Sequence, residues 1–262
     1  MNAPRPHFFD PENARLLCQA SVEAYSSHTI ADAATDTAVS IIHCPLSMDT
    51  IVAFRGTADL RNWLTDLDCE LVPVLNFRVH RGFYQALQAV ELDLDASLGA
   101  AQETRLWVTG HSLGGALAKL WALWAAGRGH DVAGVYTFGQ PRVGDASFAA
   151  FYDSVLKAQS FRVVHADDIV PRVPWMLARY RHAGHEAFFN GPLKMDHGQL
   201  SAVKDPLLDP SWPAKLLYEL PALARGLARG RLAFLDDHHI DRYLSLFPVR
   251  REAAHVSYSY NH

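Results

Sequence analysis

The chain of 262 residues predicts an α/β fold in which a mostly parallel central sheet is flanked by helices on both faces. Three observations carry this. Short β-rich apolar runs alternate with helix-period runs from about Ala38 onward. Several of these runs are apolar throughout, as strands covered on both faces must be. One of them, Leu106-Trp107-Val108, leads through Gly-His-Ser-Leu-Gly into a helix, a sharp strand-to-helix turn.

In chain order, Asp10 reads as an N-cap with Pro11 at the first helical position, and Ala14, Leu17, Cys18 and Tyr25 recur at helical spacing. Ala38 to Cys44 and Thr50 to Phe54 are β-rich runs about a Pro45 turn, which predicts a hairpin. Phe83, Ala86, Leu87, Val90, Leu94 and Leu98 return to the helical period. Then follow a strand at Arg105 to Thr109, a helix from Leu113 to Ala126, a strand near Val132 to Phe138, a helix around Phe148 to Val155 and a strand at Phe161 to His165. The whole, 1–262, reads as one domain, a size able to bury roughly 70 to 75 % of its unfolded surface. Ligands of such sheets gather at the carboxyl ends of the strands.

Composition narrows the function classes. Net charge is −4, so no basic field attracts nucleic acid. Cys18, Cys44 and Cys69 are too few for a disulfide framework, and MNAPRPHFFDPENARLL shows no basic region followed by an apolar run. Both features favour a cytoplasmic location, with secretion as the alternative. No run reaches the ~20 apolar residues of a transmembrane helix. Neither a GxxxxGK[ST] nor a GxGxxG loop occurs, so no nucleotide cofactor is expected. His182 and His185 of HAGHE lack the HExxH order and flank Gly184, so they read as structural histidines and no metal is expected.

A bare GxSxG arises by chance in roughly one chain in ten of this length, so context has to decide. Here Gly110 and Gly114 leave room beside a strained serine, and the helix beginning at Leu113 aims backbone N–H groups at developing negative charge. Ser112 therefore reads as a nucleophile. It needs a base, and the base a carboxylate. Asp167 and Asp168 follow a strand, and on spacing alone either could serve; His238 and His239 precede a helix carrying Ile240, Leu244 and Phe247. His111, beside the serine but upstream of the acid, reads as a supporting residue.

Taken together, IVAFRGTADLRNWLTDLD, VHRGFYQAL, VTGHSLGGALAKL, YTFGQPRVGD, RVVHADDIVPRVP, YRHAGHE and DDHHIDRYL resemble, in order, the blocks of the class 3 (fungal-type) lipases, from about Thr50 to Leu246. The resemblance implies an α/β-hydrolase-like fold with a short helical lid, and a serine carboxylic-ester hydrolase that cleaves acylglycerols or related lipid esters without a cofactor. Ser112 would be the nucleophile and Asp168, directly before Ile169, the acid, with Asp167 as runner-up. His238, five residues before Tyr243, would be the base, ahead of His239. Thr57 of FRGT and the N–H of Leu113 would form the oxyanion hole.

The resemblance also makes 59–67 a lid, with Leu60, Arg61, Asn62, Trp63 and Leu64 at its centre. Leu60, Trp63, Leu64 and Leu67 share one face and Asp59, Arg61, Asp66 and Asp68 the other, a pattern that equally suits a surface helix packed on the core. Two features depart from the family: cysteines too few for the fungal disulfides, and a Leu/Arg-rich stretch at 204–235, read as a helical insertion that packs on the fold or meets lipid. Phospholipase A1, a small-ester or feruloyl esterase and a catalytically silent lipase-like interaction protein are the alternative readings. Oligomeric state is not legible.

Overall fold

The computed structural model describes residues 8–44, 47, 49–57, 69–99, 104–166, 168–174, 179–189 and 236–248. Expectations for the lid at 59–67, for the insertion at 204–235 and for Asp167 fall outside these residues.

Helix α1 (Pro11–Glu23) starts where its cap requires: Asp10 accepts from the N–H groups of Glu12 at 2.8 Å and Asn13 at 3.2 Å. Such a cap is worth about 1 kcal/mol. Ala14, Leu17 and Cys18 are buried as the periodicity predicts. Tyr25, placed by sequence on the same helical stripe, lies beyond its end, because the N–H groups of Ser26 and Ser27 both turn back to the carbonyl of Glu23. That turn frees Tyr25 for another use.

Strands β1 (Ile30–Asp32), β2 (Thr37–Cys44) and β3 (Asp49–Phe54) form an antiparallel ribbon, the last two being the expected hairpin. A separate ribbon of β4 (Leu71–Val74) and β5 (Phe77–His80) leads into α2 (Arg81–Leu98). Next come β6 (Arg105–His111), α3 (Leu113–Gly127), β7 (Val132–Phe138), α4 (Ala146–Leu156), β8 (Ser160–His165), β9 (His185–Phe189) and α5 (Ile240–Ser245). The main sheet has the order β1-β2-β3-β6-β7-β8-β9 and is parallel from β3 onward. Among these elements β1, β4, β5 and β9 were not anticipated from sequence: runs of three to five residues are too short for alternation to register.

Alternating side chains along the strands feed two cores. One face of the sheet buries Val52, Phe54, Leu106, Val108 and Val135 against α2, α3 and α4. The other sends Tyr136, Phe138, Phe161 and Val163 toward Phe9, α1 and α5. Register aligns the strand ends: Phe54 pairs with Gly110, Gly110 with Thr137, and Phe138 with Val163. Segments leaving β3, β6, β7 and β8 therefore emerge side by side at one edge.

Helix α3 is buried nearly all round, and its single charged residue, Lys119, is only 1 % exposed. Its Nζ donates to Ala183 O at 2.6 Å and Ser160 Oγ at 3.2 Å and lies 4.4 Å from the Tyr152 ring centroid. Burial drives its pKa well below the ordinary lysine range. The lysine thus ties α3 to the chain just before β9. Substituting Lys119→Met keeps the bulk but leaves a buried carbonyl short of its donor, which costs about 1–3 kcal/mol. A thermal melt is expected to drop by several degrees; an undiminished Tm counts against this role.

Candidate active site

Ser112 joins β6 to α3 with φ 58° and ψ −129°, a backbone conformation costing on the order of 1–3 kcal/mol for a residue with a Cβ. Close approach explains its glycine neighbours. A Cβ on Gly110 would lie 2.4 Å from the backbone of Gly114, and one on Gly114 would lie 2.2 Å from Phe54 O. The turn is pinned by the Ser112 N–H, which donates to Phe138 O at 2.9 Å.

Asp168 is fully buried just past β8, where its Oδ1 accepts the Val170 N–H at 2.8 Å at the start of a single 3-10 turn, Val170–Arg172. Its Oδ2 accepts from His238 Nδ1 at 2.8 Å and from the Tyr243 hydroxyl. Because a carboxylate can only accept, Nδ1 donates to it, which leaves Nε2 as the acceptor nitrogen whenever the ring carries one proton. His238 is 2 % exposed, whereas His239, the N-cap residue of α5, is exposed. The structure thus brings together Asp168 and His238 and leaves His239 outside the cluster.

Both Ser112 Oγ and His238 Nε2 are buried, and neither has a hydrogen-bond partner among the described residues. Orphaned polar atoms of this kind are rare in folded chains and concentrate where chemistry is done. Gly139, at the end of β7 with φ +60°, keeps space for the pair: a Cβ there would lie 2.8 Å from His238 Cε1 and 2.9 Å from Asp168 Oδ2. Gly139→Ala is therefore expected to push the imidazole aside and reduce kcat by at least ~10²-fold, the scale of a 1 Å misplacement. Steady-state kinetics beside a melting curve checks this; unchanged kcat would show that the ring has room to spare.

The expected oxyanion residues Thr57 and Leu113 each adjoin a segment that the structure places side by side. The Phe54-Arg55-Gly56 segment runs along 111–114, since a Cβ on Gly56 would touch Ser112 Cβ at 3.3 Å and His111 O at 2.7 Å. Thr57 follows at once, half-buried. Leu113 opens α3, in the first turn, where N–H groups lack intrahelical acceptors.

Sequence reasoning used Tyr243 only as a spacing marker for His238. In the structure it is fully buried, hydrogen-bonds to Asp168, and also accepts the His165 N–H at 3.2 Å. Burial first, and then the neighbouring carboxylate, pushes its pKa well above the usual phenol value. It therefore stays a donor. The available signal was its place one turn into the helix that His238 precedes. Tyr25 was passed over for a different reason: its contact to His111 spans 86 residues. The two histidines of HAGHE go to separate partners, His182 Nε2 to Pro171 O at 2.7 Å and the His185 ring to a stacked contact with Phe161.

A strained serine at the carboxyl edge of a parallel sheet, with a buried Asp–His pair beside it, defines an α/β-hydrolase-like protein. Residues 51–178 match the family model described as lipase (class 3). It is 37 % identical over 159 residues to a secreted mono- and diacylglycerol lipase of Fusarium solani, covering 57 % of this chain and 46 % of that one. Among solved structures, the lipase of Rhizopus microsporus var. chinensis superposes with a TM-score of 0.60 at 29 % identity, over 72 % of this chain and 76 % of that one. A triacylglycerol lipase whose catalytic centre is formed by a serine protease triad gives a TM-score of 0.60 at 26 % identity, over 68 % and 79 % of the two chains. The chain spans about half the length of the curated relatives it matches.

Proposed function

We propose that the protein is a serine carboxylic-ester hydrolase of acylglycerols or similar lipid esters, with Ser112, His238 and Asp168 as its triad. One observation carries the reading: two orphaned buried atoms, Ser112 Oγ and His238 Nε2, with Asp168 holding the far side of the imidazole. His238 takes the serine proton as Oγ attacks the ester carbonyl, and Asp168 stabilises the imidazolium. The N–H groups of Thr57 and Leu113 receive the oxyanion, each such donor being worth about 10²–10³ in rate. Collapse expels the alcohol, protonated by His238. Water, deprotonated by the same imidazole, then releases the fatty acid and restores Ser112.

The lipid class of the substrate is supported by the likeness to mono- and diacylglycerol and triacylglycerol lipases. The lid that the family resemblance implies for residues 59–67 is part of this proposal, and interfacial kinetics tests it. A fluorophosphonate probe is expected to label Ser112; an unlabelled folded protein would favour a silent interaction module. Hydrolysis of triacylglycerols of increasing chain length, followed across their solubility limits, tests substrate and lid together. A rise in rate at the limit is expected. Smooth saturation with only short-chain esters hydrolysed would place the protein among small-ester esterases, and preferential release of fatty acid from phospholipid vesicles among phospholipases A1.

A further inference from the structure

A second chain of hydrogen bonds reaches His238 through its backbone oxygen rather than its ring. Tyr25 Oη is 2.9 Å from His111 Nδ1, and His111 Nε2 is 2.7 Å from the backbone oxygen of His238. Gly56 packs directly against the same hydroxyl: a Cβ on it would lie 2.3 Å from Tyr25 Oη. The His111 and His238 rings are tilted by 33° with centroids 4.5 Å apart.

The direction of every bond can be worked out. A carbonyl only accepts, so His111 Nε2 carries a proton. Burial, reinforced by the neighbouring His238, holds the His111 pKa well below the ordinary histidine range, so the ring is neutral and its Nδ1 is an acceptor. Tyr25 must then donate its hydroxyl proton to Nδ1. Two bonds run one way, Tyr25 O–H to His111 Nδ1 and His111 Nε2–H to His238 O, with Gly56 packed against the Tyr25 end.

We infer that Tyr25 and His111 are positioning residues that lock the oxyanion segment Gly56-Thr57 and the base His238 into one register, with Tyr25 selecting the only His111 tautomer able to hold the His238 carbonyl. The inference rests on the proposed roles of Ser112 and His238. A neutral His111 also matters to the chemistry, because a second cation stacked on His238 would oppose formation of its imidazolium. Tertiary contact builds the device: Tyr25 from the turn after α1, His111 from the end of β6, His238 from the start of α5 and Gly56 from the loop after β3.

Imidazole 15N spectra of protein labelled at histidine read the tautomer without recourse to activity, the His111 signal being assigned by its loss in His111→Gln. Wild type is expected to show His111 protonated at Nε2, and Tyr25→Phe to show loss of that pure tautomer. Kinetics with a soluble p-nitrophenyl ester then separates positioning from folding. Tyr25→Phe and His111→Asn are expected to lower kcat by about 10–100-fold, as loss of such supporting contacts does, with KM within about two-fold. Asparagine reaches only the Nδ1 position, whereas the amide of His111→Gln reaches Nε2 and is expected to restore most of kcat. An Nδ1-protonated His111 in wild type, or equal kcat in the Asn and Gln variants, overturns the inference. Tyr25→Phe removes a single oxygen and keeps the test open should His111→Asn fail to fold. An inactive wild type that still shows the Nε2–H tautomer refutes the esterase reading and leaves the hydrogen-bond chain standing.

Discussion

Ser112→Ala is expected to lower kcat for ester hydrolysis by about 10⁶-fold, the loss measured when a triad nucleophile is removed from a serine hydrolase. The same change should leave the melting temperature equal or higher. Oγ is buried without a hydrogen-bond partner among the described residues, and an unsatisfied buried hydroxyl costs about 1–3 kcal/mol. Removing it leaves the Cβ in place, so the strained backbone at φ 58° is unaffected and no cavity of consequence opens. Loss of activity with gain of stability is the signature of a site kept for chemistry. A variant that loses both would mean the serine is structural, and one that retains wild-type turnover would mean another residue attacks.

Asp168→Asn is expected to be the second most damaging change, with kcat down by about 10³–10⁴-fold. The carboxylate accepts from three donors: Val170 N–H at Oδ1, and His238 Nδ1–H and the Tyr243 hydroxyl at Oδ2. A carboxamide cannot satisfy that set. With its NH2 at the Oδ2 position it confronts two donors and turns His238 into the tautomer that has no basic Nε2. With the NH2 at the Oδ1 position it confronts the Val170 N–H and strains the 3-10 turn instead. Unlike Ser112→Ala, this variant should therefore also lose stability, since a buried donor is left unmatched whichever way the amide faces. Paired kinetics and thermal melts distinguish the two patterns; an Asp168→Asn enzyme with near wild-type kcat would remove this residue from the triad.

Much of the molecule was legible because long elements bury one periodic face. The strand–turn–helix around Ser112 needed no tertiary information: glycines at 110 and 114, an apolar run before and an apolar run after already dictate a tight reversal. The DDIVP and DDHHIDRYL blocks narrowed the proposed acid and base to one pair of neighbours each. Choosing between neighbours was another matter. Asp167 and Asp168, or His238 and His239, are chemically alike, and apart from the family resemblance nothing local ranks them; in the structure His238 faces a buried carboxylate while His239, the N-cap residue of α5, is exposed.

What the sequence by itself determined is the alternating α/β order, the serine turn and the short set of residues able to complete its chemistry, because periodicity and glycine placement are local properties of the chain. Only the tertiary structure decided that Tyr243 donates to Asp168, that Tyr25 and His111 support His238, and that Gly139 is small to make room for the imidazole. Those are contacts between residues 75, 86, 127 and 99 positions apart, the last being Gly139 and His238. Parallel strand register brings their loops to one edge of the sheet, and no short-range pattern in the sequence encodes that meeting.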